Sequence, residues 1–550
     1  MTSADSAHAT TTPPRSDVPD RTPFVLGTLI LVAAVANFNL TVANVALPSI
    51  GQSFDASQIA INMIAVGYSL GLAASVLWFG ALGDRYGRKL MLLLGLALAV
   101  PASLVAGVAP SPIILFVARV AGGLSAGLMY PTTLALITAL WSPPARTRAI
   151  ALWAALGSGS TVLGPVLAGV LLEFFAWGSV FLVSIPVALL AIYMTWRYVP
   201  ARVSETSAPV DNLGGLLSAV AIGALVVGLN FIAVPNLLGL ALGLLGITVI
   251  GLVLFVARQR RGVNPLYDLG VAARPTFWVA AVAGIIVFGS LMGILFINQQ
   301  YLQNVLDYGT LAAGFAVVPA AVMMIVVAPR SATLVREWGS RATLLLGQAF
   351  LALAFVTMLF LWGEGTPYWV VVIPLLLMGV GVGFAQTPSS NSLTASVPIR
   401  RVGMASGTAD LQRDLGGALM TSIFGALLTA GYAASMGSAI AASGQDVAAT
   451  TQSQLQLSYA SAANLAAANP EHSDQIIAAA RSSFLEGDTL AYGAGLVAVV
   501  LGAGIVFFRF PTKEDEDRVH AAYLVQDEAA ATSAARSAAT AGAGTTERKG

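Results

Sequence analysis

GDRYGRKLMLLLG at 83–95 and VREWGSRATLLLG at 335–347 are one stretch written twice. From position 83 to position 335 the offset is 252 residues, and it holds along the whole stretch. An aromatic residue, a glycine, one intervening position and a basic residue recur, followed by Leu-Leu-Leu-Gly. Each copy lies between two long apolar runs. Internal duplication at this spacing predicts two related halves, each carrying the stretch at the same place.

Outward from the repeat the chain is apolar almost everywhere. Of 550 residues, 57% are hydrophobic and 10% charged, with a mean hydropathy of +0.81. An ordinary soluble domain carries about 25% charged residues. A soluble chain of this composition has too little polar surface to cover itself, which excludes a soluble enzyme and a disordered protein. The net charge of +1 leaves no basic excess for holding polyanions, so no nucleic-acid partner is expected. Cysteine is absent, so disulfides and thiolate metal sites are impossible. The histidines, His8, His472 and His520, all lie outside the apolar runs, so neither a metal nor any other cofactor is expected. Lysine stands only at 89, 513 and 549, never after a glycine, so the phosphate-cradling GxxxxGK[ST] loop is missing and no nucleotide partner is expected.

A membrane span needs about 20 apolar residues. Uncharged runs predict fourteen spans, at 24–47, 58–82, 90–109, 112–138, 149–172, 177–196, 213–233, 237–257, 276–302, 311–329, 342–362, 367–391, 402–430 and 489–508. The first run is too long for a signal-peptide core and reads as a retained span. Residues 213–257 carry no charge, and Pro235 and Asn236 near their middle read as the turn of a two-helix hairpin. With the N-terminus in the cytoplasm, every Lys and Arg except Arg119, Arg413 and Arg481 falls in a tail or a cytoplasmic loop. That asymmetry fixes the expected orientation, with both termini inside.

The expected fold is therefore all-α and membrane-embedded: two six-helix bundles, 24–205 and 266–510, with a two-helix insert at 206–265. Residues 1–23 read as a disordered cytoplasmic tail and 511–550 as a second cytoplasmic tail. Residues 431–487 form a long extracytoplasmic segment. There Asn469-Pro470-Glu471 resembles a helix start, Ile476, Ile477, Ala480 and Phe484 mark one apolar face, and Gly487 fits a stop. One or two amphipathic helices lying on the outer surface are expected, either as a solvated spacer or as a lid or partner surface. Parallel repeats around a midplane site are a secondary-transporter pattern.

The motifs resemble those of the fourteen-helix drug/proton antiporter family of the major facilitator superfamily, over about 24–430 and 489–510. GALGDRYGRK at 80–89 is similar to the superfamily signature between spans 2 and 3 at Gly80, Leu82, Asp84, Arg85, Gly87, Arg88 and Lys89. The resemblance implies a conformational latch that breaks and reforms as the halves rock; Asp84 can pair with Arg88 or with the positive end of another helix. Span 1 resembles its family signature at Thr41, Asn44, Ala46, Leu47 and Pro48 but carries Asn39 where many members have an acid. Asn39 reads as a ligand contact or as a tie between helices. In span 4, Arg119 and Gly123 match, and the family ties this Arg to proton coupling; a structural, hydrogen-bonded Arg is the other reading. In span 5, Gly157, Gly164, Pro165 and Gly169 match the antiporter motif. The family links that motif to exchange; generic close packing is equally open.

Span 13 holds GTADLQRDLGG at 407–417. Arg413 falls near mid-bilayer, and Asp410 and Asp414, four apart, share a helix face. Two close acids with one arginine favour holding one proton, which makes them proton carriers or else a permanently ionised network. Glu173, at the outer end of span 5, is a further proton-coupling candidate. Polar positions that suggest a substrate cavity are Asn298, Gln299, Gln300 and Tyr301 in span 9, and Gln386 and Asn391 in span 12.

The resemblance, with these residues, implies proton-coupled efflux of hydrophobic or amphipathic small molecules from a bacterial cell, by alternating access in the cytoplasmic membrane. The partners are the substrate, protons and the lipid bilayer, and a monomer is expected. The alternative keeps the fold and changes the cargo to a lipid, siderophore or secondary metabolite. A membrane enzyme is opposed by the absence of any nucleophile–base pair, and a non-transporting sensor by the intact latch.

Overall fold

The computed structural model describes residues 22–54, 58–201, 209–232, 237–262, 265–398, 401–443, 447–523 and 525–527. Among them every regular element is helical and no strand occurs. In hydrocarbon each backbone N–H and C=O must be paired within the protein, and a helix pairs them within its own segment. Most of both tails and the Pro235-Asn236 turn lie outside the described residues.

The first part of the chain forms α1 (Thr22–Phe54), α2 (Gln58–Tyr86), α3 (Arg88–Gly107), α4 (Pro112–Leu140), α5 (Pro143–Phe174), α6 (Ser179–Leu182) and α7 (Ser184–Tyr198). A hairpin of α8 (Asn212–Phe231) and α9 (Leu238–Arg261) follows and packs on α2. The rest comprises α10 (Leu269–Ala272), α11 (Pro275–Asn304), α12 (Thr310–Ala316), α13 (Val318–Leu361), α14 (Tyr368–Ala395), α15 (Val402–Ser443), α16 (Ala449–Leu457), α17 (Tyr459–Ala468) and α18 (Ser473–Arg509). Eleven stretches among the described residues are long and apolar enough to cross a membrane.

The repeat survives in three dimensions. Gly87, between α2 and α3, has φ 106°, and Gly339, its counterpart at the 252-residue offset, has φ 83° and breaks α13 into two helices. Only glycine adopts that backbone cheaply. The next repeat glycine also keeps its role. A Cβ at Gly95 would lie 2.8 Å from Ser125 O of α4, and one at Gly347 2.7 Å from Gly381 O of α14. Replacing Gly87 or Gly339 by Ala is expected to cost about 1–2 kcal/mol each in thermal unfolding of the purified protein. Gly239→Ala, in α9 with nothing near its Cβ position, is expected to be neutral or mildly stabilising.

The stretch 431–487 differs from the sequence expectation. The helix does start at Pro470, with a 3-10 turn over Pro470–His472, but Gly487 does not end it. The helix runs on through the predicted last span as α18, and α15 likewise extends past residue 430 to Ser443. Gly487 is instead a contact point: a Cβ there would lie 2.5 Å from Leu428 O of α15. Glycine in a helix reads as a stop only when no neighbour needs the space. Between these two long helices α16 and α17 form a small cap, held by Tyr432 Oη donating to Leu455 O (3.1 Å) and by Tyr459 packed edge-on against Phe484 (6.3 Å). Arg481 pairs with Asp307 at the same end.

At the opposite end the basic loops are tied together. Lys89 Nζ donates to Trp196 O and Val199 O, both at 2.8 Å, Arg401 donates to Pro265 O (2.6 Å), and Arg274 pairs with Asp527 (2.8 Å).

Candidate functional site

A buried charge cluster sits on α15. Asp410 is 1% exposed and Arg413 7%. The guanidinium of Arg413 lies over the ring of Tyr130 in α4, 3.9 Å from its centroid, and donates to Tyr130 Oη. Tyr130 Oη also accepts from Asn37 Nδ2 of α1 (3.2 Å), and the same Asn37 nitrogen donates to Gly157 O of α5 (2.9 Å). Trp153 braces the Tyr130 ring at 5.3 Å and donates its Nε1 proton to Thr133 Oγ1 (2.9 Å). One chain of contacts therefore joins α1, α4 and α5 to α15. Arg413 Nε lies 4.0 Å from Asp414 Oδ1. Among the described residues, Asp410 Oδ2, Asp414 Oδ2, Arg413 Nε and Arg413 Nη2 are buried without a hydrogen-bond partner. Next to them Gln412 Nε2 donates to Ser389 Oγ (3.2 Å), which donates to Ala280 O (3.0 Å).

The second constellation lies at the basic end. Asp84 uses its oxygens separately. Oδ1 accepts from Arg88 Nη2 and Oδ2 from Gly403 N, both at 2.8 Å. Gly403 is in the first turn of α15, whose unpaired N–H groups attract a carboxylate. Gly80 lets the two helices touch: a Cβ there would lie 2.6 Å from Gly403 O. Arg88 is 2% exposed, while Arg85 is half-buried with its guanidinium 5.3 Å from the Tyr86 ring.

The Major Facilitator Superfamily model matches residues 29–421. The chain belongs to the Major Facilitator Superfamily. The multidrug resistance protein Stp of Mycobacterium tuberculosis is 34% identical over 387 residues, 69% of this chain and 70% of Stp. The methyl viologen resistance protein SmvA of Salmonella typhimurium is 31% identical over 487 residues, 87% of this chain and 96% of SmvA. Among solved structures, the human organic anion transporter MFSD10 superposes with a TM-score of 0.55 at 16% identity, covering 88% of this chain and 99% of MFSD10. The chain is accordingly a multi-pass cell-membrane transporter and not an enzyme.

The α5 glycines Gly157, Gly164 and Gly169 face α1, α4 and α12. A Cβ at Gly157 would lie 3.3 Å from Asn37 Nδ2 and 3.4 Å from Tyr130 Oη, so Gly157 borders the charge cluster. At Gly164 it would collide with Thr41 Oγ1, and at Gly169 it would lie 3.3 Å from Leu311 Cδ1. Pro165 lies within α5 and is half-buried. Arg119 is held by main-chain carbonyls, donating to Asn39 O (2.5 Å), Leu40 O and Ile64 O (both 3.4 Å), with the Tyr68 ring 4.9 Å away. No acid pairs with it among the described residues. Asn39 turns its amide back to Val35 O (2.9 Å); Asn37, two positions earlier, is the α1 residue in the network. Glu173 is exposed at the end of α5.

Of the cavity candidates, Asn298 is fully buried with both amide atoms unpartnered among the described residues. Gln299 and Gln300 are half-buried. Tyr301 is locked, donating to Gly363 O (2.9 Å) and stacked on Trp362 at 4.7 Å. Gln386 is buried in α14, and Asn391 Oδ1 accepts from Thr147 Oγ1 (3.5 Å), linking α14 to α5.

Sequence reasoning passed over Asn37, Tyr130, Gln412, Gly403 and Asp488. Asp488 is 3% exposed with neither oxygen partnered among the described residues. It escaped because the predicted last span began at residue 489, one position too late. Tyr130 carried no signal, since a lone tyrosine in an apolar span is ordinary. Tyr130→Phe removes the acceptor shared by Arg413 and Asn37. It is expected to lower transport by about tenfold and stability by about 1–2 kcal/mol, read by efflux rate and melting temperature.

Proposed function

We propose that this protein exports hydrophobic or amphipathic small molecules in exchange for protons, by alternating access. The observation that carries the reading is the buried α15 cluster, in which two carboxylates share a helix face with one guanidinium that reaches across to Tyr130 of α4. Two acids and one arginine leave a single negative charge uncompensated. A buried unpaired charge is costly, and one bound proton removes it. Because Arg413 holds Tyr130, gain or loss of that proton alters the contact between α15 and α4. The cluster thereby couples a proton to the rocking of the two parts.

Fourteen spans follow if α13 is counted twice across Gly339 and α2 and α5 are added to the eleven long apolar stretches. The basic loops then face the cytoplasm, with both termini. Residues 24–205 and 266–510 are the rocking bundles and 206–265 the insert. Asp84, Arg88 and Gly403 latch the cytoplasmic side; Arg119 and Glu173 serve proton movement at the outer side. The polar residues of α11 and α14 contribute to the substrate path. One copy contains the whole cluster, so a monomer suffices. Relatives named for multidrug and methyl viologen resistance support small-molecule cargo.

The test is efflux of a lipophilic fluorescent dye from cells expressing the protein. Efflux is expected to collapse when a protonophore removes the gradient. Undiminished efflux without a gradient would refute proton coupling.

A further inference from the structure

Across the seam between α5 and α13, at the basic end, lies an open cleft of about 430 Å³. Its walls are Arg148 from α5, and Val326, Pro329, Arg330, Ala332, Thr333 and Arg336 from α13. The seam beneath it is narrow, closed by Ala151 and Ala155 against Ala328 and Ala332. Three arginines from two helices thus line one cleft, and no carboxylate lines it. None of the three forms an ion pair among the described residues; Arg330 spends one N–H on Val326 O (3.0 Å). Three other arginines at this end are paired with acids: Arg88 with Asp84, Arg258 with Asp211 and Arg274 with Asp527. Three like charges left unpaired in one cleft repel each other and call for an anion. The other wall is apolar, formed by Val326, Pro329 and Ala332, and Trp338, 57% exposed just beyond Arg336, is the residue type that sits at a membrane–water boundary.

From this pairing of guanidiniums with an apolar wall at a membrane boundary, we infer that the cleft binds the phosphate headgroup of an anionic phospholipid. The guanidiniums take the phosphate oxygens in forked hydrogen bonds, and the acyl chains run along the apolar wall. The lipid bridges α5 and α13. A site of this kind is independent of what the protein carries, so its test does not use transport.

The test is native mass spectrometry of the purified protein released from nanodiscs of equal phosphatidylglycerol and phosphatidylcholine. The wild type is expected to retain phosphatidylglycerol in preference. Each of Arg148→Gln, Arg330→Gln and Arg336→Gln should cut that preference about fivefold, and the triple variant should bring it to parity. Arg260→Gln, an exposed arginine of α9 at the same end, should leave it unchanged. The three target arginines are exposed, so the variants fold; size-exclusion profile and helicity check this. A triple variant that keeps the preference overturns the site, as does an equal loss in Arg260→Gln. Inorganic phosphate is the second arm: a melting-temperature rise with phosphate alone that matches the rise with phosphatidylglycerol overturns the lipid and assigns a free anion.

Discussion

Efflux driven by the proton gradient is expected to fall to background in Asp410→Asn/Asp414→Asn, while the purified double variant keeps a native size-exclusion profile and helicity, with a melting temperature lowered because buried Arg413 loses its counter-charges. The two readouts separate because the substitutions remove charge without removing shape. Asp410 Oδ2 and Asp414 Oδ2 have no donor among the described residues to lose. An amide there mimics the protonated carboxyl permanently, so the proton cycle stops while the packing persists. Each single variant leaves one acid and is expected to retain slower efflux with an altered dependence on external pH. Arg413→Ala behaves differently. It strands both acids in a buried site and takes away the partner of Tyr130 Oη, so it is expected to destabilise the protein by about 3–5 kcal/mol. Gradient-driven efflux at the wild-type rate in the double variant would remove α15 from the coupling mechanism.

The second large effect belongs to the proposed latch of Asp84, Arg88 and Gly403. Asp84→Ala leaves Arg88, 2% exposed, without its counter-charge and Gly403 N without its acceptor. The expected cost is about 3–5 kcal/mol to the closed form of the basic end. Gly403→Leu attacks the same contact sterically, because a side chain there collides with Gly80 O and Asp84 Oδ2. Both variants should hold α2 and α15 apart. The chain has no cysteine, so one introduced at Ala405, fully buried in α15, reports this without background. Labelling by a membrane-impermeant maleimide applied to the basic side is expected to rise at least about tenfold in either variant. That corresponds to about 1.4 kcal/mol less stability for the closed form, well below the cost assigned to the broken contact. Unchanged labelling would mean that the Asp84–Gly403 contact does not hold this side closed.

Local features of the chain were legible because they depend on period and composition. The 252-residue repeat predicted that Gly87 and Gly339 do the same job, and both have positive φ. Turn glycines keep their place whatever surrounds them, since the requirement is written in the backbone. The i, i+4 spacing that puts Asp410 and Asp414 on one face follows from helical geometry alone. Helix ends were less legible. The polar, alanine-rich stretch after residue 430 has no span-length apolar run and reads as separate amphipathic helices, yet α15 and α18 continue into it because each packs on the other and on the α16–α17 cap. Hydropathy finds where lipid begins and ends, not where a helix stops.

The sequence by itself determined that this is a helical membrane protein built of two related parts, that it carries acids and an arginine within its spans, and where its tight turns fall. Only the tertiary structure decided which of those groups meet. Asp84 finds Gly403 N across 319 residues and Arg413 finds Tyr130 across 283, and neither partner is marked by spacing or motif. Asn37 rather than Asn39 faces the cluster because two positions on a helix turn a side chain through about 200°. Burial and partnership are properties of how helices are set against one another. A chain reports its own period, but the neighbour that satisfies or strands a polar group comes from packing.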